Sequence, residues 1–175
     1  MAPLRLNCLL LMLFMVSCEG CKDDPEPVPE IQKLPTATQN GAQTFGCLID
    51  GKASVAKGPY FLFGMYQEGI LSISATEKYT GKNIDRVIRI DLSENDLQVG
   101  TYELTELPQG RAGVSDVVLK CYHETSSQSV GSLIITRFDP SQLILSGTFE
   151  FEGYSPDCNT VVKVTDGRFD LVYAP

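Results

Sequence analysis

Tryptophan is absent from the 175 residues, histidine occurs once, and basic residues number 14 against 22 acidic ones. Each shortage excludes something. A phosphate backbone calls for a basic stripe, and a chain of net charge −8 with no basic window offers none, so no nucleic-acid partner is expected. No apolar run reaches the ~18–20 residues of a membrane-spanning helix. Zinc would need a second cysteine pair or histidines near the first, and neither exists. The serines lack the Gly-x-Ser-x-Gly elbow of the serine hydrolases, and no glycine loop is built to cradle a phosphate. The chain therefore reads as a non-enzyme, with no catalytic, metal-binding or cofactor-binding set.

What is present begins with an abrupt change of character at Cys18. Residues 1–17 carry one charge, Arg5, followed by "NCLLLMLFMVS", a short apolar segment ending in a small residue. That is the pattern of a secretory signal peptide. Met15-Val16-Ser17-Cys18 resembles the bacterial lipobox, with Met15 where leucine is usual. The resemblance implies cleavage between Ser17 and Cys18 and a diacylglycerol on the Cys18 thiol. The competing reading is an ordinary secreted protein whose Cys18 joins a disulfide.

Residues 18–43 hold four prolines, five acids and two lysines, without apolar periodicity. Such a segment buries too little surface to fold alone and reads as a disordered acidic, proline-rich tether, reaching ~30 Å as a coil and ~80 Å when extended. Within it Lys22-Asp23-Asp24 resembles the lysine-then-acidic signal that sends Bacteroidota lipoproteins to the outer face of the outer membrane. The expected location is thus the outer membrane, lipid-anchored and facing outward, or otherwise the periplasmic face.

From Thr44 to Pro175 the period is two. "QLILSGTFEF" sets Leu143, Leu145, Phe149 and Phe151 against Ile144, Ser146, Thr148 and Glu150, and "NIDRVIRIDL" sets Ile84, Ile88, Ile90 and Leu92 against Asp85, Arg89 and Asp91. Alternation of this kind marks half-buried antiparallel strands. Further strands are expected at 44–50, 59–66, 70–76, 101–105, 115–122, 132–138 and 161–173. The fold class is all-β: one antiparallel β-sandwich or small barrel-like domain of about nine strands. In "TVVKVTDGRFDLVY" the apolar phase slips at Asp166-Gly167, through either a two-residue hairpin or a bulge in one long strand.

The phrases "GTFEFEG", "VTDGRFDLVY" and "TFGCLIDGK" resemble a family of Bacteroidota lipoproteins of unknown function. The likeness runs over most of 44–175 and rests on strand and turn phrases. It implies an all-β lipoprotein domain and no particular activity.

Cys21, Cys47, Cys121 and Cys158 are left to pair, in any of three ways or not at all. Cys47 shares a strand face with Phe45 and Ile49, and Cys121 one with Val117 and Leu119, so both are expected to point inward. His123, beside Glu124, is read as a solvated residue entering a polar loop rather than a catalytic base. Asp91, Glu94, Asn95 and Asp96 offer oxygens without calcium-loop spacing, and read as a polar connection. Glu150 and Glu152 would share a solvent face ~7 Å apart, which any exposed strand shows. Tyr60, Phe61, Phe63 and Tyr66 fall on both faces of one strand; the favoured reading is a strand buried on both faces, and the alternative is that some are exposed to anchor a partner or sugar, or line a cavity. The expected function is a non-catalytic binding or interaction module, held to the membrane through Cys18, with a protein, glycan or envelope component as partner. The alternative is a lipocalin-like barrel carrying a small apolar ligand.

Overall fold

The computed structural model describes residues 26–57, 61–78 and 84–175. The signal peptide, Ser17, Cys18, Cys21 and the Lys22-Asp23-Asp24 stretch lie outside the described residues, as does Tyr60. Eleven strands account for most of the rest: β1 Thr44–Ile49, β2 Lys52–Lys57, β3 Leu62–Gln67, β4 Ile70–Lys78, β5 Ile84–Ser93, β6 Gly100–Leu104, β7 Gly110–Asp116, β8 Cys121–Glu124, β9 Gly131–Asp139, β10 Ile144–Ser155 and β11 Thr160–Val172. Among the described residues there is no α-helix, only a 3-10 turn at Glu30–Lys33.

The strands form one antiparallel sheet in the order β2-β1-β11-β10-β8-β7-β5-β4-β3. The long β10 is shared on one edge: β9 pairs with Ile144 to Phe151, and β8 meets it at Tyr154. Strand β6 extends the sheet from β9. The free edge of β3 returns to the chain's end, where Tyr66 N donates to Ala174 O (2.9 Å) and Ala174 N to Gly64 O (2.8 Å). The sheet is thereby nearly closed into a barrel-like shape.

Period-two alternation explains the filling. Phe45, Cys47 and Ile49 of β1, Leu71 and Ile73 of β4, Ile88 and Ile90 of β5, Leu133 and Ile135 of β9 and Leu145 and Phe149 of β10 form one buried cluster. Strand β11 keeps Val162, Val164, Phe169 and Leu171 on the same face although their numbering changes parity. It does so through a bulge in one continuous strand, with Asp166 at φ 54°. Both neighbours shift register there, between Phe149 and Phe151 and between Gly46 and Leu48. Gly167 follows because a Cβ would stand 2.5 Å from Phe149 O and 2.6 Å from its ring.

Two expectations change. The strand expected at 115–122 is a hairpin instead: β7 ends at Asp116, residues 117–120 turn, and β8 starts at Cys121. Asp116 Oδ1 accepts from Leu119 N (2.8 Å) and Lys120 takes φ 57°, so a polar bracket closes a turn whose middle is apolar. Val117 and Leu119 point out, and periodicity alone cannot separate an apolar turn from an apolar strand. Strand β2, "KASVAK", is absent from the strands expected above because it carries too little apolar contrast to announce itself.

The chain before Thr44 lies on the barrel. Glu30 Oε2 accepts from Ala53 N (2.9 Å), Leu34 is buried, and a Cβ on Gly46 would meet Pro35 Cδ at 2.6 Å. Below these contacts Asp170 gathers five donors. They are Thr38 Oγ1 (2.6 Å), the amides of Asn40 (3.0 Å), Gly41 (2.8 Å) and Ala42 (3.0 Å), and Ser146 Oγ (2.8 Å). The packed body therefore starts before the tether's expected end at residue 43. Composition does not show this, because most of the contacts are hydrogen bonds to Ala53 and Asp170, with Leu34 and Pro35 as the apolar contribution.

Candidate functional site

The outer face of the sheet carries a groove of about 490 Å³ across β6, β9, β10 and β11. Register builds it. Glu103 of β6 stands opposite Ser132 of β9, which stands opposite Glu150 of β10. These three outward side chains make one row, with carboxylates at its ends and a hydroxyl between. One step along the strands Glu152 faces Lys163 across β10 and β11, with Oε1 and Nζ 3.7 Å apart. Thr101 and Thr165 add hydroxyls, and Val130 adds an apolar wall. A second depression of about 350 Å³ continues the groove, sharing Ser132 and Glu150 and ending against Ala37 and Arg168. The face is thus a long shallow trough lined by carboxylates, hydroxyls and two cations. Such a lining offers hydrogen-bond acceptors and donors of the kind that suit a polar, hydroxyl-rich ligand or an extended peptide.

The sequence-derived candidates are scattered relative to this trough. Glu150 and Glu152 lie in it, but in different company: Glu150 beside Ser132, Glu152 against Lys163. His123 is buried rather than solvated; its Nε2 lies 2.9 Å from Thr160 Oγ1, and Nδ1 has no hydrogen-bond partner. The correction has a simple cause: His123 sits in β8 opposite Val114, on the inward side of a short strand that reads as loop.

Asp91 is separated from Glu94, Asn95 and Asp96. Buried in β5, it accepts from Ser72 Oγ (2.6 Å) and Arg89 Nε (2.9 Å), with Arg111 Nε at 3.3 Å. Among the described residues no three histidine, cysteine, aspartate or glutamate side chains converge on a possible metal position. The aromatic strand is buried on one side only: Leu62 and Gly64 point inward, Phe63 is exposed, and Tyr66 donates to Glu94 O (2.8 Å).

The cysteines divide cleanly. Cys121 and Cys158 form a disulfide, Cα–Cα 5.9 Å, that ties the β7–β8 turn to the β10–β11 turn. Cys121 is buried, but Val117 and Leu119 are not its companions on an inward face. Cys47 is free and buried, and burial, assisted by the charge of Glu77, pushes its thiol up to about 12.

Comparison with known families gives one result: a model for a domain of unknown function, DUF6252, matches residues 64–172. The chain belongs to the DUF6252 family. No curated protein and no solved structure matches it. The DUF6252 match starts inside β3 and runs to the end of β11, so it takes in all four strands of the trough. Strands β1 and β2 and the N-terminal approach precede it, although β1 is paired along its length with β11. The residues that sequence reasoning missed, Thr101, Glu103, Ser132 and Lys163, are each outward positions of alternating strands. Alternation could have placed them outward; it could not have placed β6 beside β9.

Proposed function

We propose that this DUF6252 protein is a lipid-anchored envelope protein whose β domain is a non-catalytic binding module. Cys18 is the attachment point, Ser17–Cys18 the cleaved bond, and Lys22-Asp23-Asp24 the signal for outward display on a Bacteroidota-type outer membrane. The trough is the binding surface, and its partner is a glycan or another hydroxyl-rich envelope component. The row Glu103–Ser132–Glu150 carries this reading, since its acceptors and donors lie along a surface open to solvent, where a chain-like ligand can lie. The experiment is titration of the purified protein with a panel of envelope oligosaccharides, comparing wild type with Glu103→Lys/Glu150→Lys. Binding lost in the double variant with unchanged circular dichroism supports the trough. Binding of equal strength in both removes it. Protease treatment of intact and lysed cells tests display: digestion in intact cells supports the outer face, protection until lysis the periplasmic one.

The barrel-like closure keeps an interior apolar ligand as the second reading. Its inward side chains include Leu71, Ile73, Ile90, Leu133, Ile135, Leu145 and Leu171, all fully buried in one cluster, which favours the outer trough. Organic extraction and mass spectrometry of purified protein decide between them, because a stoichiometric lipid would support the interior site.

A further inference from the structure

Three consecutive large apolar residues, Val117, Val118 and Leu119, occupy the β7–β8 turn, with 48%, 67% and 71% of their surfaces exposed. Turns favour polar residues, and exposed runs of this length in a folded protein mark a contact surface. The turn cannot fold its apolar side chains away easily. The Cys121–Cys158 disulfide ties its end to the neighbouring hairpin, and Asp116 holds the Leu119 amide. Tyr122 and Tyr154, both partly exposed, stand just below it, and Tyr154 donates to Asn159 in the neighbouring turn.

The path of the N-terminal segment says what this end of the barrel faces. Residues 30–42 run along β1 in one direction, from Ala53 beside the β1–β2 turn, past Gly46, to Asp170 opposite Thr44. The chain before Glu30 therefore arrives at the end of the barrel formed by the β1–β2, β7–β8 and β10–β11 turns. Glu30 lies twelve chain steps beyond Cys18, a reach of at most ~43 Å. We propose that the Val117–Leu119 turn is a membrane-contacting tip, seated in the surface of the bilayer that carries the Cys18 anchor. This rests on the anchor reading above. The partner is a lipid surface of little net charge, since an acidic protein is repelled by an anionic one. Tyr122 and Tyr154 fall at head-group level, where a ring with one polar end is favoured. The trough, running down the side of the barrel, stays free.

The absence of tryptophan makes the test direct. Leu119→Trp, with Val118→Trp as a second reporter, and Ile70→Trp at the opposite end of the barrel each introduce a sole indole into the full mature protein. The protein is reconstituted in phosphatidylcholine vesicles with brominated acyl chains, and mass spectrometry of the N-terminal peptide reports separately whether Cys18 carries diacylglycerol. The tip reporters are expected to shift to the blue and lose about half or more of their emission, as for side chains ~5–10 Å into the interface, while Ile70→Trp is unchanged. Equal emission at tip and control positions overturns the tip, whether or not Cys18 is lipidated. An unlipidated Cys18 overturns the anchor by itself.

Discussion

A carboxylate with 1% of its surface exposed is pushed by burial toward its neutral form, yet Asp170 is held in the opposite direction. Hydrogen bonds from Thr38, Ala42, Asn40 and Ser146 outweigh the burial and bring it down to about 2, from an ordinary 3.8. A group whose folded value is depressed stabilises the fold fully above its unfolded value and loses that contribution as pH falls through the folded one. The window is therefore pH 4 to 2. Urea midpoints followed by circular dichroism should fall steeply for the wild type in this window and less so for Asp170→Asn. Asp170→Ala at pH 7 should lose about 3 kcal/mol, because Thr38, Ser146 and three amides lose their acceptor. An Asp170→Ala variant as stable as wild type would mean the N-terminal segment is not clamped. Cys47 gives a second outcome at this scale. With its thiol pushed up to about 12 inside the core, it should resist iodoacetamide at pH 8 in the native protein and react once the protein is unfolded. Rapid native labelling would mean the barrel opens at β1.

Among the elements, β11 carries the most constraint, since it pairs with both β1 and β10 and bends at a bulge. Gly167→Ala should destabilise by ~1–3 kcal/mol, because the new methyl meets a backbone oxygen and a ring that are both fixed by neighbouring strands. The midpoint of chemical denaturation measures it, and a neutral result would mean that the bulge relaxes. The phase slip at Asp166-Gly167 was visible in the sequence as a change of parity. Hairpin or bulge was not, since both restore the same inward face, and only pairing with β10 on one side and β1 on the other distinguishes them. The β7–β8 hairpin shows the converse. Val117, Val118 and Leu119 satisfy a strand pattern, and the turn is decided by Asp116, Lys120 and the register of Gly113 with Glu124.

For the whole molecule, the Cys121–Cys158 bridge closes a 37-residue separation and joins two hairpins at one end of the barrel. On loop entropy alone it stabilises by about 4 kcal/mol. Reduction, or Cys121→Ser/Cys158→Ser, should lower stability by ~2–4 kcal/mol and loosen the β7–β8 turn first, which hydrogen exchange at residues 113–124 would report. Uniform exchange across the barrel would indicate that the bridge supports the fold globally instead.

Composition and alternation determined that this protein is all-β, that its cores are the Phe45, Ile88 and Phe149 faces, and that Glu150 and Glu152 point outward. Those properties follow from side-chain chemistry repeated along a few neighbouring residues, which any reader of the chain can count. The closure through Ala174, the Asp170 clamp, the pairing of Cys121 with Cys158 and the trough row Glu103–Ser132–Glu150 were decided by tertiary structure. Each joins residues far apart in the chain, and their meeting depends on strand order and register, which local periodicity does not encode.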